Sequence, residues 1–250
     1  VFTGGKMLID KLNQILNFED ESSVSYVISL FIKKNLKEIP KLSIDYIACS
    51  CHTSKSQISK YVKSLGYETM KEFKEACLDN ASSFERTNIT LFSLQENTIE
   101  QFTDFTKDLI CELNYTMKKI DEKKLSSLLH DLQKSKRVFV YGHGHASVLC
   151  SYVQNEFSAK EKETVICDVD FAKKYVFCES DILIVISING NTFQFEKEVI
   201  QNILSCPVNT WLISCEKNID FSDKFLYIPT IKEKYNAIML RHILDFILLH

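Results

Sequence analysis

The sequence predicts an all-α helix-turn-helix domain followed by an α/β domain with a parallel sheet flanked by helices. Three observations predict it. From residue 8 to about 78, apolar residues recur at three-to-four spacing, as in Leu8, Leu12, Ile15 and Leu16 and again in Val24, Val27, Ile28, Phe31 and Ile32, without a strand pattern. Beyond residue 98, short β-rich runs alternate with amphipathic helical stretches. Between the two textures, Asp79 to Asn97 is rich in Ser, Thr and Asn, the composition of a linker. The expected boundaries are therefore 7–80, 81–97 and 98–250. Met7 opens the first periodic stretch, and Val1 to Lys6 are left out of the fold reading.

Within the helical part, Ser43 to Leu65 holds two short helices and a tight turn. Ser43 caps a helix carrying Ile44, Ile47 and Ala48; Ser54 caps a second, in which Ile58, Tyr61, Val62 and Leu65 fall on one face and Gly66 ends the run. The opposite face offers Ser56, Gln57, Ser59, Lys60 and Lys63 and no carboxylate. Between residues 31 and 75 there are nine lysines against five carboxylates, although the whole chain has a net charge of -3. A local basic patch in an acidic protein suits duplex DNA, with Ser54, Ser56, Gln57, Lys60 and Lys63 as the contacting residues. Lysines neutralise phosphates, whereas Gln57 near the helix start can hydrogen-bond an adenine edge.

In the second part, helices are expected at Ile99 to Ile120 and Lys124 to Leu132. Strands are expected at Arg137 to Tyr141, Thr164 to Cys167, Ile182 to Ser187, Thr210 to Ser214 and Phe225 to Ile228. The uninterrupted run Ile182-Leu183-Ile184-Val185-Ile186 is what a central strand covered on both faces requires. Glycine is scarce, six in 250 residues, and three of the six lie in two short segments after strands. The first is Gly142-His143-Gly144-His145-Ala146-Ser147, and the second is Ser187-Ile188-Asn189-Gly190-Asn191-Thr192 before a helix at Phe193 to Leu204. Glycine turns that open helices let backbone N–H groups reach an anion, and the helix dipole favours negative charge there. The ligand-binding candidates are Gly142, Gly144, His145, Ser147, Ser187, Asn189, Gly190, Asn191 and Thr192. A dinucleotide fingerprint fails because position 147 is Ser, and no Gly-Lys-Ser/Thr exists for a P-loop. His143 and His145 flank one glycine with no carboxylate beside them, so catalysis is not expected and no catalytic residue is assigned.

Residues 54–67, Ser54-Lys55-Ser56-Gln57-Ile58-Ser59-Lys60-Tyr61-Val62-Lys63-Ser64-Leu65-Gly66-Tyr67, continued by Phe73-Lys74, resemble the helix-turn-helix of RpiR-type transcriptional regulators. Gln57 stands where that family has Thr and Lys60 where it has Arg. The pair of loops resembles a SIS (sugar isomerase) domain, with first loop Gly-x-Gly-x-Ser and second loop Ser-x-Ser-Gly-x-Thr-x-Glu, which grips a phosphosugar. Ser187, Gly190 and Thr192 match by position; Ala146, Asn189 and Gln194 replace a Ser, a Ser and a Glu. The resemblance runs from Met7 nearly to the end. It implies a cytoplasmic regulator of carbohydrate metabolism, binding an operator and a phosphosugar effector as a homodimer or homotetramer. A phosphosugar isomerase, or a regulator whose SIS domain is a ligand-free assembly platform, stand as alternatives.

The remaining composition excludes rather than identifies. Nine cysteines with no Cys-x-x-Cys spacing form no disulfide framework, and buried thiols in a reducing compartment are expected. Cys49-x-Cys51-His52 is too tight a spacing for zinc, so neither metal nor cofactor is expected. No signal peptide is expected, and the apolar tail Ile238 to Leu249, broken by Arg241, His242 and Asp245, is too short for a membrane span.

Overall fold

A computed structural model describes residues 7–86, 97–168, 171, 175–190, 192–193 and 197–250. The chain divides into two units, 1–88 and 89–250.

The first unit is helical: α1 (Met7–Phe18), α2 (Val24–Lys34), α3 (Ile44–Ser50), α4 (Lys55–Ser64) and α5 (Met70–Arg86). Its core gathers one residue set from every helix, including Leu8, Leu12, Ile28, Ile32, Ile47, Ile58, Val62, Phe73 and Cys77. α5 runs to Arg86, past the boundary expected at residue 80. The reason is that neither glycine nor proline occurs between Gly66 and Gly142, so a polar composition alone does not stop the helix.

The second unit begins with α6 (Thr98–Lys119) and α7 (Glu122–Lys134) and continues through β1 (Arg137–Gly142), α8 (His145–Ser158), β2 (Glu163–Ile166), β3 (Ile182–Ser187), α9 (Lys197–Leu204), β4 (Asn209–Ser214), β5 (Phe225–Tyr227) and α10 (Asn236–Leu248). The five strands form one parallel sheet in the order β2-β1-β3-β4-β5. Because side chains alternate across a strand, each strand feeds two cores. Val138, Val140, Ile182, Ile184, Ile186, Trp211 and Ile213 pack under α7, α8 and α10. Phe139, Tyr141, Leu183, Val185 and Leu212 face the other way, towards Val199 and Ile203 of α9 and the aromatic residues Phe171, Tyr175 and Phe177. β3 is buried along its whole length, which explains its unbroken apolar sequence.

Two carboxylates tie neighbouring strands together. Asp131 on α7 accepts from Asn209 Nδ2, Trp211 Nε1 and Lys224 Nζ, each at 2.9 Å. Asp181, 2% exposed, takes a bidentate contact from Arg137, Nε to Oδ1 at 3.1 Å and Nη2 to Oδ2 at 2.6 Å. The Arg137 hydrogen bonds hold the Asp181 carboxyl below its ordinary range, outweighing the upward push of burial. A depressed carboxyl stabilises the fold above its unfolded pKa, and that contribution is lost as pH falls through the folded value. Asp181→Asn should therefore lower the melting temperature at neutral pH while flattening its fall below about pH 4, measured by thermal unfolding across pH. An unchanged acid limb would remove Asp181 from this role.

Candidate functional site

The first candidate surface is α4. Ser43 accepts from the Tyr46 N–H at 3.1 Å and Ser54 from the Gln57 N–H at 3.2 Å, so both expected caps form. The turn between α3 and α4 closes with His52 N–H on the Cys49 carbonyl and Thr53 N–H on the Ala48 carbonyl. This geometry forces His52 to φ +51°, a left-handed conformation that L-residues adopt at a cost. His52→Gly should raise stability by about 0.5–1 kcal/mol, read from chemical denaturation; no gain would mean that the imidazole makes a compensating contact. α4 ends in a second closure of this kind, with Gly66 N–H on Lys63 and Tyr67 N–H on Val62.

The inner stripe Ile58, Tyr61, Val62 and Leu65 is at most 4% exposed. Tyr61 lies 2.5 Å from Ser29 of α2, whose proton goes to the Ser25 carbonyl, so the phenol is the donor. Burial raises the Tyr61 phenol well above its ordinary range and keeps that proton in place. The helix is thus fixed by both packing and a buried hydrogen bond. Its outer face presents Ser56, Gln57, Ser59, Lys60 and Lys63 to solvent. Ser54 is exposed too, with its oxygen engaged in the cap, and Lys55 is held by Asp45 at 2.5 Å. Gln57 occupies the third helical position, where reading helices contact base edges.

The cysteines divide. Cys51, Cys77, Cys150, Cys167 and Cys215 are buried; burial lifts Cys51 to about 11 and Cys77, Cys150 and Cys215 to about 12. Cys49, Cys111 and Cys178 are exposed, contrary to a uniformly buried reading, because they fall on the outer sides of their segments. Among the described residues no group of three or more His, Cys, Asp or Glu is placed to hold a metal, and no helix is long and apolar enough to cross a membrane.

The second surface lies at the carboxyl edge of the sheet. The chain leaves β1 for β2 on one side, whereas β3 lies on the other, so the strand order reverses between β1 and β3. Ligands of open α/β sheets bind in the crevice outside such a reversal. Gly142 pairs in register with Ile186, and the two candidate loops therefore start from neighbouring strands about 5 Å apart. At Gly142 a Cβ would lie 2.8 Å from both the Ala146 carbonyl and Cys150 Sγ, so glycine is what lets α8 close on the strand. Gly144 holds φ +61° and ψ -129°, where only glycine is comfortable, and opens α8. His145 is exposed and Ala146 buried. Ser147 is half-buried and donates to the Gly144 carbonyl at 2.8 Å, turning its proton into its own loop.

In the second loop Ser187 and Thr192, each 3% exposed, bring their hydroxyls to 3.4 Å. Gly190 is buried against Glu216. Asn189 donates to Glu233 Oε1 at 3.0 Å and accepts from Asn236 Nδ2 at 2.9 Å, so its amide is already engaged. Asn191 and Gln194 lie outside the described residues. Sequence reasoning missed Glu233 and Asn236, and it placed no carboxylate near either loop; Glu233 supplies one from the short turn Glu233–Tyr235. It also missed Glu112, although a carboxylate at the inward spacing of an amphipathic helix was a usable signal.

The fold therefore defines a two-unit protein, a helix-turn-helix module and a parallel α/β unit with paired loops at the strand-order reversal. No family model matches the chain. Its homologues are HTH-type transcriptional regulators. It is 25% identical over 198 residues to an uncharacterized regulator of Clostridium perfringens, spanning 76% of this chain and 69% of that protein. It is 22% identical over 156 residues to the regulator GlvR of Bacillus subtilis, 60% of this chain and 55% of that one. Among solved structures, the Vibrio vulnificus NanR protein complexed with ManNAc-6P aligns over 97% of this chain and 91% of its own, at 15% identity and a TM-score of 0.47.

Proposed function

We propose that the chain is a DNA-binding transcriptional regulator of carbohydrate metabolism, acting in the cytoplasm as a dimer or tetramer, whose α/β unit senses a phosphorylated sugar. The observation that carries the proposal is the pairing, in one chain, of an exposed, carboxylate-free face on α4 with two helix-opening loops at the strand-order reversal. The lysines of α4 release counterions from the duplex and Gln57 reads a base edge. Backbone N–H groups and the start of α8 attract the phosphate, with Ser187 and Thr192 beside it. A sugar phosphate that binds the two conformations of the regulator unequally then shifts its affinity for DNA.

A panel of sugar phosphates in thermal unfolding tests the sensing half. A ligand at 100 times its dissociation constant should stabilise the chain by about 2.7 kcal/mol; a response to none of them would leave the α/β unit as an assembly platform. A second reading, phosphosugar isomerisation, is favoured by one observation, the Glu233 carboxylate beside Asn189. Aldose–ketose interconversion lost in Glu233→Gln would establish it.

A further inference from the structure

The segment before α10 is fastened to α6 by one line of side chains. Phe105, Asp108, Glu112 and Thr116 are spaced by three and four residues and so share a face of the helix. Thr116 donates to the Pro229 carbonyl at 2.7 Å. Glu112, 1% exposed, accepts the Ile231 N–H on one carboxylate oxygen and the Lys232 N–H on the other, both at 2.8 Å. Asp108 pairs with Lys232 Nζ at 2.6 Å, and the rings of Phe105 and Tyr235 lie 5.6 Å apart. Two adjacent N–H donors on a buried carboxylate make an anchor that an amide cannot copy, because its NH2 would face one of them.

The same segment grips the second loop at its other end. Asn189 bridges Glu233 and Asn236, and Asn236, 6% exposed, in turn accepts from Thr230 Oγ1 at 2.6 Å. A serine at 189 would be too short to span both partners. A continuous line of polar contacts thus leads from the loop at the strand-order reversal to α6. That helix is the first of its own unit.

Resting on the reading of the second loop as a sugar-phosphate site, we infer that Asn189, residues 230–236 and Glu112 relay occupancy of that site to α6. Binding at the loop reorients the peptide that carries Asn189, and its two amide contacts must follow or break. The segment 230–236 carries that choice to Glu112, because it is held at both ends and buried at Tyr235 and Asn236. The effector loop is thereby coupled to the first helix of its own unit.

Hydrogen exchange on the full chain, with inorganic phosphate and glucose 6-phosphate as probes, tests this. In the unaltered protein a probe should slow exchange in 187–190 and change it in 98–119 by about fivefold or more, the lower end of ordinary coupling. In Asn189→Ala and in Glu112→Gln the loop should keep its response and 98–119 should lose it; Asn189 is only half-buried, so that variant serves should Glu112→Gln not fold. An α6 response that persists in Asn189→Ala overturns the relay and leaves the anion site standing. A loop that responds to neither probe overturns the site, and the relay with it.

Discussion

Replacing Lys60 and Lys63 together by alanine is expected to flatten the salt dependence of DNA binding and to leave the fold intact. Both side chains are exposed on α4, and neither belongs to the stripe that packs on α2 and α5. If about three phosphates are neutralised per subunit, a dimer should show a slope of log affinity on log salt of about -5, and the double variant about -2. Near 0.1 M salt that difference amounts to a loss on the order of a thousandfold. Gln57→Ala separates base reading from phosphate contact. It should leave the slope unchanged and cost about 1–3 kcal/mol of discrimination at one base pair. Titration by fluorescence anisotropy at several salt concentrations measures both; a slope unaltered in the lysine variant would place the DNA contact elsewhere.

Gly144→Ala is expected to lose effector binding at a stability cost of about 1–3 kcal/mol. A Cβ at this position meets nothing within 4 Å, so crowding is not the cause. The cost is in the backbone, because φ +61° with ψ -129° is closed to a residue with a side chain. Relief requires the turn to rotate, which re-aims the N–H groups opening α8 at His145. The sugar phosphate that stabilises the unaltered chain should therefore give no thermal shift in Gly144→Ala, although the variant still melts cooperatively. A full shift would mean that the first loop does not touch the ligand.

The helical unit and the loops of the sheet differ in how much of them the sequence reveals. Short-range features were legible: the run Ile182 to Ser187 is the strand observed, and the caps at Ser43 and Ser54 form where a hydroxyl precedes an amphipathic stretch. These depend on neighbours within one turn or one strand, so spacing reveals them. The end of α5 was not legible, because polarity marks a linker only where the backbone is also free to leave the helix. The network around Asn189 was less legible still. Its partners at Glu233 and Asn236 lie more than forty residues away, and Glu112 reaches Ile231 and Lys232 from the other end of the unit. Such pairings follow from the strand order, which no local pattern encodes. They also engage the amide of Asn189, a ligand-binding candidate by sequence, with Glu233 and Asn236.

The proposed function requires that a sugar phosphate at the β1 and β3 loops be coupled to DNA at α4. Anisotropy of a labelled duplex selected from genomic fragments by the full chain, titrated with and without the sugar phosphate that gives the largest thermal shift, tests it directly. The dissociation constant should move by about fivefold or more, and by the same factor DNA should alter the affinity for the sugar phosphate. A sugar phosphate that stabilises the protein yet leaves its hold on DNA unchanged would contradict the coupling, and a chain that retains no duplex would contradict the account at its base.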